Sequence, residues 1–148
     1  IAITREFKNT KPNNLGIALP KGRIRFYRAD GDTLEFTGEN ELDHTPADEL
    51  VKIPTGNAFD LVGERKRTDF RVDTANKSAT ETFEITLRNR KKDPVTIRVV
   101  EHLYRSANWK ITTHSDAFTK THSAEVQFAI PVKPGEERKL TYTVHYTW

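Results

Sequence analysis

Cysteine and methionine are both absent from this sequence of 148 residues. Without cysteine the chain can form no disulfide, no thiolate metal site and no cysteine nucleophile, but many exported proteins also lack cysteine, so the compartment stays open. Long apolar runs are absent too, since no stretch approaches the roughly 20 residues that a membrane-spanning helix needs. We therefore expect no membrane insertion by this domain. Because the chain begins at Ile1 and has no methionine, we interpret it as a processed or excised piece of a longer protein. No signal peptide is visible in this sequence, and a removed N-terminal part could have carried one.

Apolar residues are few, at 35% of the chain, while 30% are charged and the net charge is +3. This ratio suits sheets with one solvated face better than a thick helical core. Threonine, valine and isoleucine are abundant, and their β-branched side chains pack well on a pleated surface but lose rotamer freedom in a helix. A chain of this length corresponds to about one domain. We therefore predict a single β-sandwich domain over residues 1–148.

Alternation of apolar and polar residues predicts the strands, because every second side chain of a half-buried strand faces the core. The clearest alternating segments are 83–87, 95–99, 126–132 and 140–148, the last with Trp148 on the apolar face. Turn residues separate the segments, at Asp30-Gly31-Asp32, in the charged stretch 88–94, which predicts a hairpin tip, and at Pro134-Gly135. Together they predict an all-β, immunoglobulin-like antiparallel β-sandwich of about seven to nine strands.

Two segments break the regular pattern. The apolar residues Phe59 and Leu61 occupy odd positions, whereas Phe70 and Val72 occupy even positions. Gly63 lies between the two pairs. This switch predicts a β-bulge or a strand crossing between sheets near Gly63. Residues 115–120 predict a single helical turn. No repeat, low-complexity tract or internal linker is visible.

Several of these segments also carry a family resemblance. LGIALPKGRIRFYRADGD (15–32), DHTPADELVKIPTGNAFDLVGER (43–65), FEITLRNRKKDPVTIRVVEHL (83–103), NWKITTHS (108–115) and LTYTVHYTW (140–148) resemble the uncharacterised C-terminal domain of bacterial mucoidy inhibitor A-like proteins. The resemblance implies an exported bacterial protein, periplasmic or secreted, with an N-terminal domain and a coiled-coil-like segment ahead of this one. It also implies that this chain is the excised C-terminal part of that protein, whose signal peptide lies outside this sequence. It implies no enzymatic role and supplies no catalytic residues.

The charge is unevenly distributed, because residues 30–49 hold eight carboxylates and no lysine or arginine. Such asymmetry can mark an interaction face, while the simpler interpretation is an acidic segment packed beside basic strands. We take the segment as the preferred contact for an unidentified protein partner. The residues assigned to it are Asp30, Asp32, Glu35, Glu39, Glu41 and Asp43.

The sequence carries only weak signals for a metal site or a catalytic motif. The histidines, at positions 44, 102, 114, 122 and 145, lack the close spacing of zinc ligands, and Asp30-Gly31-Asp32 with Glu35 has too few oxygen ligands for a calcium loop. No serine lies in a nucleophile motif. We therefore assign no catalytic, cofactor-binding or metal-binding residue, and we expect no cofactor and no enzymatic activity.

Two further clusters leave alternatives open. The basic stretches 65–67 and 88–92 lack the interleaved aromatics of single-strand nucleic-acid binders, so we expect them to protect strand edges, with no nucleic-acid partner. Trp109 and Trp148 could form a sugar-stacking platform, but core packing is favoured.

The predicted function is a non-catalytic structural or protein-interaction module of the bacterial cell envelope. The alternative is a carbohydrate-binding or hydrolytic domain that uses the carboxylates with Trp109.

Overall fold

A computed structural model describes every residue from Ile1 to Trp148. The predicted all-β class is confirmed, since the chain forms eleven strands, two more than the expected upper limit, and its only helical element is a 3₁₀ turn at Lys11–Asn13. The structure contains no helix that is both long and apolar enough to cross a membrane. The strands are β1 (Ala2–Lys8), β2 (Gly22–Asp30), β3 (Thr33–Leu42), β4 (Leu50–Asn57), β5 (Leu61–Asp73), β6 (Ser78–Asn89), β7 (Val95–His102), β8 (Asn108–His114), β9 (Phe118–His122), β10 (Glu125–Val132) and β11 (Glu137–Thr147).

Residue contacts divide the chain into two compact units, Ile1–Ala58 (unit 1) and Phe59–Trp148 (unit 2). Unit 2 holds the sandwich and every residue of the main apolar core. That residues 1–148 form one domain stays a prediction.

Unit 1 consists of two antiparallel strand pairs, β1 with β4 and the hairpin β2–β3. The hairpin turns through Gly31 and Asp32, as predicted, and Gly31 has φ +57°, a left-handed conformation that glycine adopts without steric cost. Asn9 is fully buried between loops: its amide nitrogen donates to the carbonyls of Ile17 and Pro46, both at 2.7 Å, and its side-chain oxygen accepts from the Gly16 N–H at 3.0 Å. These bonds tie the loop segments of unit 1 together.

Unit 2 contains seven strands in two sheets. One sheet has the order β5-β6-β11-β8 and the other has the order β7-β10-β9, with all neighbours antiparallel. The division into four and three strands is that of an immunoglobulin constant-type sandwich. The strand order differs, since β11 lies inside the four-stranded sheet and not beside β10.

The predicted alternation is confirmed in the core between these sheets. The inward residues of β6, β7, β10 and β11 are buried, and the Tyr142 ring lies 5.3 Å from the Phe83 ring and 5.5 Å from the Phe128 ring. Trp148 was expected to share this face, and that prediction is wrong. It lies beyond the end of β11 with 57% of its surface exposed.

The connections differ from three predictions. The predicted hairpin tip at residues 88–94 is wrong, because β6 and β7 belong to different sheets. Residues 88 and 89 are the end of β6, and residues 90–94 cross from one sheet to the other. Asn89, fully buried, holds this crossing by donating to the carbonyls of Asp93 at 2.9 Å and Val132 at 3.1 Å. The bulge in β5 lies at residue 68 and not at Gly63, and residues 115–120 form a bend followed by the start of β9, not a helical turn.

Candidate functional site

Two arginines of β5 lie on the inner face of the four-stranded sheet. The register with β6 pairs Arg65 with Ile85 and Arg67 with Phe83, both of which face the core. Because paired residues of neighbouring strands share a face, the arginine side chains also lie on the inner side. The Arg65 guanidinium stacks over the Phe83 ring, 3.8 Å from its centroid. An edge strand thus brings positive charge to the border of the apolar core.

The first carboxylate that meets these arginines is Glu101 of β7, in the opposite sheet. Nε of Arg65 donates to both Glu101 oxygens, at 2.9 and 3.1 Å, and the hydroxyl of Tyr142 donates to Oε2 of the same carboxylate. Burial raises the pKa of Tyr142, and the hydrogen bond to Glu101 raises it further. The phenol therefore stays neutral and serves as a donor. This three-residue contact links the two sheets.

The second carboxylate is Glu81 of β6, only 1% exposed. Its Oε1 accepts from Arg67 at 3.0 Å and from Arg105 at 2.8 Å, whereas its Oε2 is buried and has no hydrogen-bond partner. Burial alone would raise the pKa of Glu81, but the hydrogen bonds from Arg105 and Arg67 outweigh it and hold the pKa below its ordinary value. Glu81 is therefore ionised at neutral pH.

A cleft opens beside Arg105, where β6 begins and β11 ends. It has a volume of about 330 Å³, and we name it the Phe70 cleft after one of its lining residues. It is lined by Phe70, Val72, Ala79, Arg105 and Trp148. The register places Phe70 opposite Glu81 and Val72 opposite Ala79, so the inner face of β5 continues past the core as an accessible apolar surface. A volume near 300 Å³ is at the lower end of small-ligand sites.

The predicted interaction residues all belong to the β2–β3 hairpin of unit 1 and the segment that follows it. Three of the six carboxylates are in ion pairs with basic residues of β2 or of the segment before it. The pairs are Arg28–Glu35 at 2.6 Å, Arg25–Glu39 at 3.0 Å, Arg23–Glu39 at 3.2 Å and Lys21–Asp43 at 3.4 Å. Asp30, Asp32 and Glu41 enter no ion pair. The structure thus places these residues along one hairpin, and their role as a contact stays a prediction.

The remaining candidate residues are dispersed. No three histidine, aspartate or glutamate side chains are grouped as metal ligands. Trp109 packs against the core, as expected, and its Nε1 donates to the Ser123 carbonyl at 2.9 Å. Trp148 lies in the Phe70 cleft, so the two tryptophans form no common platform.

The Arg65–Glu101 and Glu81 contacts were not predicted from the sequence, although the sequence contains a signal for them. Glu81 lies two positions before Phe83, and Glu101 lies two positions after Val99. Both carboxylates therefore continue the inward-facing positions of predicted strands. A charge at such a position needs a paired and hydrogen-bonded partner. Which arginine or lysine pairs with each carboxylate depends on the tertiary structure, and the alternation of residues does not reveal it.

Comparison with known proteins gives no relative: no family model, no curated protein and no solved structure matches this chain.

Proposed function

We propose that this chain is a non-catalytic protein-interaction module of the bacterial cell envelope, and that the end of the β2–β3 hairpin is its contact surface. The observation that carries the proposal is the apolar side of this hairpin end. Leu34 is 71% exposed, and Tyr27 and Phe36 are each about half exposed. The register pairs Tyr27 with Phe36, and Leu34 precedes Phe36 by two positions, so the three side chains share one face.

The hairpin end also has a defined charge. Tyr27 and Phe36 pack edge to face, with ring centroids 5.8 Å apart, and the turn beyond them carries Asp30 and Asp32, which are exposed and unpaired. An exposed aromatic pair with an acidic border fits a partner protein that presents an apolar groove bordered by lysine or arginine. We propose a partner of this chemistry.

Two further points support the non-catalytic and envelope parts of the proposal. Glu81 is held ionised by its arginines, whereas a carboxyl group that acts as a general acid needs a raised pKa. The envelope location rests on the family resemblance of the sequence alone.

Site-specific photocrosslinking tests the contact. A photoreactive phenylalanine analogue replaces Phe36 in the full-length protein in cells, and the matched control carries it at Thr119, an exposed position of β9. We expect a discrete crosslinked partner from position 36 alone, and we expect the double change Asp30→Lys and Asp32→Lys to remove it. Identical products from both positions, or a crosslink that survives the charge reversal, would contradict the proposal.

A further inference from the structure

The Phe70 cleft combines exposed aromatic surface with polar groups. Phe70 is 41% exposed, and Trp148 shares the same cleft. The guanidinium of Arg105 lies 4.6 Å from the centroid of the Phe70 ring and also lines the cleft. Flat aromatic faces beside a hydrogen-bonding cation provide both stacking surface and directional contacts for a small ligand.

The second observation is the buried Oε2 of Glu81. This oxygen has no hydrogen-bond partner, although the other oxygen of the same carboxylate accepts from two arginines. Phe70 is the direct neighbour of Glu81 across β5 and β6, and Arg105 both lines the cleft and binds Glu81. The carboxylate itself does not line the cleft, but it is bonded to a residue that does and it has one acceptor left for a donor group.

The charges around this acceptor restrict the class of ligand. A cation approaching Glu81 meets the positive charges of Arg67 and Arg105, and an anion approaching these arginines meets the negative charge of Glu81. A neutral group that carries a hydrogen-bond donor and an acceptor on adjacent atoms is repelled neither by the arginines nor by Glu81. Neighbouring hydroxyl groups have this property, since each hydroxyl is both a donor and an acceptor.

We propose that the Phe70 cleft binds a neutral saccharide, with a sugar ring against Phe70 and Trp148 and vicinal hydroxyls on the Arg105–Glu81 pair. One hydroxyl accepts from the Arg105 guanidinium, and its neighbour donates to Oε2 of Glu81. Because Glu81 is almost fully buried and does not line the cleft, the Arg105 side chain has to shift to open a path to Oε2, and its guanidinium then donates to the first hydroxyl from the shifted position. Arg105 belongs to residues 103–107, which connect β7 to β8 outside any strand, so its side chain can move without breaking a sheet.

The test is a binding measurement on the full chain, with separate neutral oligosaccharides of glucose, galactose, mannose or N-acetylglucosamine as probes. Saturation-transfer NMR observes the sugar, and backbone amide shifts of Val72 and Ala79 report occupancy of the cleft. We expect at least one probe to bind saturably, with a Kd that changes by less than about twofold when salt is raised, because the ligand is neutral.

Matched variants locate the binding. Phe70→Ala and Trp148→Ala should each raise the Kd by about tenfold or more, while Phe59→Ala, which removes an aromatic that is 95% exposed elsewhere in unit 2, should leave it unchanged. Circular dichroism checks that each variant is folded. The proposal is overturned if no probe binds at concentrations up to about 10 mM, or if Phe70→Ala leaves the Kd unchanged. Tighter binding of an acidic oligosaccharide or of a peptide with a free carboxylate would also overturn it.

Discussion

Glu81 is a charged side chain almost fully removed from water at the border of an apolar core. A buried carboxylate is tolerated only where cations and hydrogen bonds replace its hydration. Here the two cations come from different parts of unit 2, Arg67 from strand β5 and Arg105 from the connection after β7. The carboxylate therefore fixes an edge strand and a connecting segment at one point.

Removing the charge of Glu81 should destabilise the protein. In Glu81→Gln the side chain keeps its shape, but two guanidiniums lose a charged acceptor, and we expect the free energy of unfolding to fall by about 2 kcal/mol at pH 7. Because the folded-state pKa of Glu81 is below its ordinary value of 4.5, its contribution is present above that pH and is lost as the pH falls through the folded-state pKa. The difference between wild type and variant should therefore shrink on acidification, as measured by urea unfolding.

Glu84→Gln is the matched control on the same strand. Glu84 faces outward and pairs with Lys139 at 3.1 Å, and exposed pairs contribute little. We expect a change of at most about 0.5 kcal/mol. Equal effects of the two substitutions would show that the position of the carboxylate in the core does not matter.

At this scale the sequence predicted side-chain direction better than side-chain partners. The inward positions of Phe83, Tyr142 and Phe128 follow from alternation alone, because burial of one face needs no knowledge of the other sheet. The Glu81 contacts could not be predicted, since Arg67 and Arg105 are distant from it in sequence. Trp148 was misplaced because alternation gives no information about where the covering sheet ends.

The bulge in β5 determines which side chains of this edge strand face the inner side of the sandwich. Arg67 pairs with Phe83 and Asp69 pairs with Thr82, so Thr68 is one extra residue outside the β5–β6 register, although its hydroxyl donates to the Thr82 carbonyl at 3.3 Å. The bulge keeps both Arg67 and Phe70 on the inner face, although they are three positions apart. Without it, one of the two would face outward.

Deletions distinguish the bulge residue from its neighbours. Deleting Thr68 leaves every β5–β6 pair in place, and we expect a loss of stability below about 1 kcal/mol. Deleting Lys66 also gives a regular strand, but it moves Arg67 outward and puts Thr68 opposite Phe83, which breaks the Arg67–Glu81 bond. We expect this deletion to cost about 2 kcal/mol, measured by chemical denaturation.

The order of these two effects is the informative result. A Thr68 deletion as costly as the Lys66 deletion would mean that the bulge itself stabilises the strand, and not the inward arginine. Amide hydrogen exchange in β5 of each variant verifies the register, because a shifted strand would change which amides are protected.

Among the elements, the positions of turns were predictable, whereas the sheet that the next strand joins was not. The Gly31 turn and the Pro134-Gly135 turn carry the local conformational signal of their own residues. The Gly31 turn closes a hairpin, but the Pro134-Gly135 turn and residues 90–94 connect strands of different sheets. The residue composition of a turn predicts that the chain changes direction there. Long-range packing decides which sheet the next strand joins.

For the whole molecule, the apolar core belongs to unit 2. All buried residues of the main core cluster lie between Phe83 and Tyr146, whereas the buried apolar residues of unit 1 are only Val51, Ile53 and Ala58. Burial of apolar surface is the main driving force of folding. The two units are therefore expected to differ in their ability to fold alone.

Expression of each unit separately tests this expectation. We expect residues 59–148 to give a dispersed amide NMR spectrum and a cooperative unfolding transition, and residues 1–58 to give neither, because small sheets with few buried apolar side chains are marginal. An unfolded 59–148 fragment would instead support the prediction that residues 1–148 form one domain. Circular dichroism of both fragments against the full chain provides the comparison.

The place of β11 has a consequence for synthesis on the ribosome. This strand lies between β6 and β8 and supplies Leu140, Tyr142, Val144 and Tyr146 to the core, yet it follows all its partners in the sequence. At about 5–20 residues per second, translation of the segment between β6 and β11 takes several seconds. During that interval the nascent β6 has no partner on one side and shows its apolar face. A chaperone that shields emerging strands would therefore act on this chain before β11 has been made.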